Sequence, residues 1–162
     1  MWVSMNAMNV QVIQLAPIHV VLIRHRGPYD ELGGEFDRLW EWVTAQRVSA
    51  LRTIGIYWDN PDFVPASKLR SAACVEVPAG FQIGNSGGLP LEVDDIAGGE
   101  YATTRFVGPY EDLAPVWSDL TRYVEGTLRR KISDNPAFEV YVNDASDTPP
   151  EQLITELYMP LR

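Results

Sequence analysis

The chain has 162 residues, 46% of them apolar, with five Trp, seven Tyr and five Phe; this suits one soluble globular core and leaves no length for two independent ones. Its formal charge of −9 disfavours direct binding to phosphate backbones, and no run approaches the roughly 18 to 20 apolar residues of a membrane helix. A single cysteine, Cys74, excludes an internal disulfide, fits a reducing cytoplasm, and reads as a small buried apolar residue.

The opening MWVSMNAMNV has neither a basic region nor a long apolar run, so no secretory signal is visible. Residues 1–8 are expected to form a disordered extension, with one domain over 9–162. Residues 10–26 are rich in Val and Ile and predict strand, broken near Ala16-Pro17. From Tyr29 to about Arg47 the spacing turns helical: Leu32, Phe36, Leu39, Trp40 and Val43 form one apolar stripe. Pro28 suits a first helical position, with Asp30 and Glu31 in the turn where the helix dipole favours acid. TIGIYW at 53–58 is a strand stopped by the turn signal DNPD, and KLRSAACVEVP at 68–78 is another.

A loop rich in Gly and Pro, from Ala79 to Pro90, ends a first module of about 9–78. The second module, about 91–162, runs in the same order. EYATTRFV at 100–107 is strand; Leu113, Trp117, Leu120, Val124 and Leu128 stripe a helix; FEVYVND at 138–144 and LITELYMPL at 153–161 are strands. The order repeats because the sequence does. GPYDEL at 27–32 returns as GPYEDL at 108–113, and Leu39 and Val43 fall on Leu120 and Val124 at the same offset. The predicted fold is α+β: two tandem strand-helix-strand-strand modules with pseudo-twofold symmetry. A curved antiparallel sheet carries two helices on one face, and the seam between modules is where ligands tend to sit.

No glycine-rich phosphate loop or His/Cys cluster with metal spacing is present, so neither cofactor nor metal is expected; His19 and His25 read as partly buried structural histidines. The basic run Arg129, Arg130, Lys131 sits where positive charge offsets a helix dipole. Strand alternation sorts side chains into two faces. Phe138, Val140 and Val142 are assigned to the helices, with Glu139 and Tyr141 pointing away. The same parity sets Leu157, Met159 and Leu161 against Glu156 and Tyr158, and Ile54, Ile56 and Trp58 against Tyr57. The face away from the helices would then carry Tyr57, Glu76, Tyr141, Glu156 and Tyr158. Aromatic walls with carboxylates among them could bind a flat cation; the alternative is a plainly solvated sheet face. Trp117 has core spacing, and a large indole at the helix–sheet boundary could also floor the cleft. Glu76 and Glu156 could form an acid–base pair, though carboxylates that merely face solvent are commoner. GNSGG at 84–88 has the wrong spacing for a nucleophile elbow.

The segments IYWDNPDFVPASKLRSAACVEVP, GGEYATTRFVGPYEDL, FEVYVND and the closing ELYMPL resemble the GyrI-like small-molecule-binding superfamily over about residues 9 to 162. That group includes gyrase-inhibitory proteins and the effector-binding domains of AraC- and MerR-type regulators. The resemblance implies a ligand cleft between two tandem modules and, in its multidrug-binding members, a glutamate that meets cationic aromatic compounds. By motif position that glutamate would be Glu156, with Tyr158 and Tyr141 as walls. Some stand-alone members are hydrolases of strained cyclopropane-bearing compounds, which would make Glu156 catalytic. The implied function is a stand-alone binder that senses or sequesters a hydrophobic, cationic aromatic molecule; a hydrolase in the same cleft and a gyrase modulator are the alternatives. No segment marks gyrase contact, and no helix-turn-helix accompanies the module.

Overall fold

A computed structural model describes residues 8–162. Eight strands form one antiparallel sheet: β1 (Gln11–Leu15), β2 (Ile18–Arg26), β3 (Thr53–Tyr57), β4 (Arg70–Glu76), β5 (Glu92–Ile96), β6 (Gly99–Val107), β7 (Ala137–Tyr141) and β8 (Ile154–Pro160). Their order is β1-β6-β8-β7-β3-β4-β2-β5. Helix α1 (Gly33–Gln46) lies between β2 and β3, and α2 (Leu113–Arg122) between β6 and β7. The α+β class and the repeated order of elements stand as the sequence predicts. All of the expected extension except Met8 lies outside the described residues, and Met8 packs against the core beneath α2.

Chain connectivity forces the sheet to curl. Six inter-strand steps separate β1 from β2 in the sheet order, a distance of about 29 Å if the sheet were flat. Only Ala16 and Pro17 join them, a reach of at most about 11 Å. Ala97 and Gly98 impose the same constraint between β5 and β6. The two linkers cross so closely that a Cβ on Gly98 would stand 3.0 Å from the Leu15 carbonyl oxygen and 3.1 Å from the Pro17 nitrogen. Gly98→Ala is therefore expected to cost about 1–3 kcal/mol, lowering the thermal midpoint by about 2–4 °C per kcal/mol. Circular-dichroism melting checks this, and an unchanged midpoint would show that the crossing relaxes freely.

Curling leaves apolar residues on both faces. Away from the helices, Leu22, Ile54, Cys74, Tyr101, Phe138 and Val140 fill the inside of the curve. On the helix face, Leu39, Trp42 and Val43 of α1 pack on Val21, Ile23 and Val75, while Leu120 and Val124 pack on Leu157 and Met159. In the repeated Gly-Pro-Tyr motif, Gly27 and Gly108 take φ of +134° and +154°, a region closed to most other residues. A short 3₁₀ turn then opens each helix.

Three details differ from the sequence reading. Strand β5 was unread because its residues Glu92, Asp94 and Asp95 are exposed; it pairs only with β2 as a charged edge. The indole facing the α1 core is Trp42 rather than Trp40, because the loop after β4 lays Phe81, Ile83 and Leu89 over that flank. Helix α2 ends in a π turn over Tyr123–Thr127.

Candidate functional site

Strands β3 and β7 pair at the middle of the sheet, where the two halves meet. Register sets Gly55 opposite Glu139, and Glu139 opposite Leu157 of β8. Directly paired residues share a face, and Leu157 packs beneath α2. Glu139, Tyr141 and Tyr57 therefore point toward the helices. The sequence reading had both β3 and β7 reversed: it set Ile54, Ile56, Phe138 and Val140 toward the helices, and they line the inside of the curve instead. Parity tells which residues share a face, not which face they take, and Phe138 and Val140 gave no clue because this sheet buries apolar residues on both sides.

Glu139 is 5% exposed. One carboxylate oxygen accepts the Trp117 indole N–H at 2.6 Å; the other accepts the Tyr141 hydroxyl at 2.7 Å and faces the Tyr57 hydroxyl at 3.2 Å. The two tyrosine hydroxyls lie 2.6 Å apart. Gly55 makes this possible: a Cβ there would fall 2.6 Å from the Tyr141 hydroxyl and 2.8 Å from that of Tyr57. Three further rings enclose the group. Tyr29 stands edge-on to Tyr57 at 4.9 Å between centroids, and Phe36 and Tyr110 each stand edge-on to Tyr141 at 5.5 Å.

The enclosure follows the repeat. Tyr29 and Tyr110 are the tyrosines of the two Gly-Pro-Tyr motifs, and Phe36 and Trp117 hold the same position on the two helices. Thr53 to Tyr57 aligns on Ala137 to Tyr141, so Tyr57 matches Tyr141 and Gly55 matches Glu139. A nearly symmetric box of aromatic rings thus carries one carboxylate.

Burial is the largest influence on that carboxylate and raises its pKa, against the hydrogen bonds from Trp117, Tyr141 and Tyr57 that favour its charged form. Among the described residues no Lys, Arg or His forms an ion pair with it. Burial also pushes the Tyr57 and Tyr141 hydroxyls well above the ordinary phenol range, reinforced by the negative charge of Glu139. Tyr29 is pushed up to about 12, again chiefly by burial. No group of His, Cys, Asp or Glu among the described residues is arranged to hold a metal, and no helix is long and apolar enough to cross a membrane.

Of the residues singled out from sequence, Tyr57, Tyr141 and Trp117 meet around the Glu139 carboxylate. Glu76, Glu156 and Tyr158 lie across the sheet. Glu76 is bound by Arg52 at 2.5 Å, and Glu156 by Arg105 at 2.6 Å and by the Tyr158 hydroxyl at 3.0 Å. Tyr158 stacks on Phe138 within the core, 4.6 Å between centroids. Each of those carboxylates already has its arginine. The sequence reading passed over Glu139, Gly55, Tyr29, Phe36 and Tyr110 as site residues. Aligning the two halves through their third strands would have exposed the Gly55–Glu139 break in symmetry.

Residues 8–162 match the model of the GyrI-like small molecule binding domain. The chain belongs to the GyrI-like family. A DNA gyrase inhibitor of Citrobacter koseri is 35% identical over 150 residues, covering 91% of each chain. Two solved structures share the GyrI-like fold. One is a hydrolase from Listeria innocua, with TM-score 0.67, 11% identity and coverage of 95% of this chain and 92% of the other. The second is a protein bound to tetraphenylphosphonium, with TM-score 0.65, 18% identity and coverage of 96% and 94%.

Proposed function

We propose that the cleft between the helices binds a largely apolar organic cation with aromatic rings, as a module that senses or sequesters such compounds. The observation that carries this reading is Glu139, a buried carboxylate without a cationic partner inside a box of aromatic rings. An unpaired buried charge is costly, and a ligand cation would relieve it. Each aromatic face adds about 0.5–2 kcal/mol of attraction to a positive charge. Titration with tetraphenylphosphonium, followed by intrinsic tryptophan fluorescence and calorimetry, tests the reading; tetraphenylborate is the control of similar shape and opposite charge. Saturable binding of the phosphonium, at least about tenfold tighter than the borate, corresponding to about 1.4 kcal/mol, is expected. Equal affinity for both would remove the charge role of Glu139.

A second reading draws on the same carboxyl. With its pKa raised and two tyrosines beside it, Glu139 could take a proton from water attacking an electrophilic, strained ring while a tyrosine protonates the departing carbon. Mass spectrometry after incubation with such a compound separates the readings, since hydrolysis yields a product heavier by one water and simple binding returns the compound unaltered. Gyrase is the protein partner that the Citrobacter koseri relative brings forward, and a supercoiling assay with the purified chain tests it directly.

A further inference from the structure

We infer that the cleft exchanges a proton for its cation: Glu139 carries a proton within a ring of three oxygens shared with Tyr57 and Tyr141, and gives it up as an organic cation enters. This rests on the cation-binding reading above and adds the coupling to it. Three oxygen–oxygen contacts of 2.6, 2.7 and 3.2 Å link Tyr57 to Tyr141, Tyr141 to Glu139 and Tyr57 to Glu139. Each phenol has one proton to donate and an ionised carboxylate has none. Two protons cannot serve three contacts, so with Glu139 ionised one edge sets lone pairs against lone pairs. A protonated Glu139 closes the ring: its O–H donates to Tyr57, Tyr57 to Tyr141, and Tyr141 back to the carboxyl.

The surroundings agree. Trp117 of α2 gives only a neutral N–H. Tyr29 and Tyr110, at the starts of the two helices, are neutral phenols whose pKa values burial raises. From α1, Glu35 turns to Arg38 and His25 rather than toward the cleft, and Phe36 brings no charge. The neighbouring strands contribute Leu157, and Ser71 and Thr155, two buried hydroxyls without hydrogen-bond partners among the described residues. None of these supplies the positive charge that would hold a buried carboxylate ionised, and burial raises its pKa accordingly. The exchange balances: one positive charge enters, one proton leaves the Glu139 carboxyl for solvent, and the net charge of the cleft is unchanged.

Tetraphenylphosphonium carries a fixed charge and serves as the probe. Calorimetric titration between about pH 5 and about pH 9, in buffers of different ionisation heat, counts protons released on binding. Below the pKa of Glu139 in the free protein, release is expected to approach about one proton per cation, with affinity rising up to about tenfold per pH unit; above it both effects vanish. Binding with constant affinity and no release would overturn the coupling and leave the cation reading standing. Absence of binding would sink the cation reading instead. The carboxyl ¹³C shift of Glu139 in the free protein then decides the rest, because a carboxyl already ionised at about pH 5 overturns the inference. Two variants separate the ring from a general burial effect. Tyr141→Phe removes the donor to the carboxylate and should move the titration to higher pH. Tyr57→Phe removes the acceptor of the carboxyl proton and should move it to lower pH, whereas a Tyr57 hydroxyl acting chiefly as a donor to the ionised carboxylate would give a move to higher pH. Shifts in the same direction overturn the ring.

Discussion

Replacing Glu139 by Gln is expected to weaken tetraphenylphosphonium binding by about 2–5 kcal/mol, roughly 30-fold to several thousand-fold, while the folded chain loses no stability. Glutamine keeps the shape: its carbonyl oxygen accepts the Trp117 N–H, and its NH₂, in the place of the other oxygen, donates to the Tyr141 and Tyr57 hydroxyls. What disappears is the charge. Because Glu139 has no cationic partner among the described residues, removing it also removes the cost of burying an ionised carboxylate. The sign of the pH effect follows from linkage. Burial raises the folded-state pKa above the ordinary value of 4.5, so between those two values the native state holds more protons than the unfolded state. Stability from this group therefore falls as pH rises through that window. The Gln variant should match the wild type in acid and exceed its thermal midpoint at neutral pH. Loss of binding accompanied by loss of stability would mean that Glu139 is a structural residue.

The contrast with Glu156 makes the same point from the other face. Glu156 is held by Arg105 and Tyr158 at the edge of the inner core, and exposed pairs of that kind contribute about 0–1 kcal/mol. Glu156→Gln should leave phosphonium binding within about twofold of wild type. A large loss there, with Glu139→Gln silent, would return the site to the position that the closing ELYMPL motif suggests.

The fold was legible where residues declare their own environment. The Gly-Pro-Tyr repeat announced two related halves because it needs a positive φ and a helix start at both places. Residues Leu39, Val43, Leu120 and Val124 announced two buried helical faces because each meets sheet. Two further features depended on the whole molecule. Strand β5 is strand only because β2 is there to pair with it, and its acidic side chains record an exposed edge. The face of β7 depended on the curl of the sheet, which the two-residue linkers at Pro17 and Gly98 impose and no local pattern encodes. The same curl decides the face of β3, so parity kept Tyr57 and Tyr141 together but set both on the wrong face, and Glu156 was singled out through the closing ELYMPL motif rather than through parity.

Gly55→Ala is the other substitution expected to act strongly, and its sign is the informative part. Inside a strand, glycine is ordinarily a weak point and alanine is worth about 0.5–1 kcal/mol more. Here the added methyl would stand 2.6 Å from the Tyr141 hydroxyl, 2.8 Å from the Tyr57 hydroxyl and 3.2 Å from a ring carbon of Tyr57. The rings are hemmed in by Tyr29, Phe36 and Tyr110, so they cannot step aside without opening contacts with both helices. A cost of about 1–3 kcal/mol is expected in place of the gain, a fall of about 2–4 °C in the thermal midpoint per kcal/mol. Phosphonium binding should weaken as well, because the displaced hydroxyls no longer hold the carboxyl of Glu139. Tyr141→Phe takes away the oxygen nearest the new methyl, so the double variant should recover part of the loss, with a coupling of about 0.5–3 kcal/mol. Strictly additive midpoints in the two single variants and the double would show that the hydroxyl is not what the methyl strikes. Gly55 occupies in the first half the place that Glu139 holds in the second. A side chain as small as a methyl at that place would undo the arrangement, which is why this symmetric cleft carries its charge on one side alone.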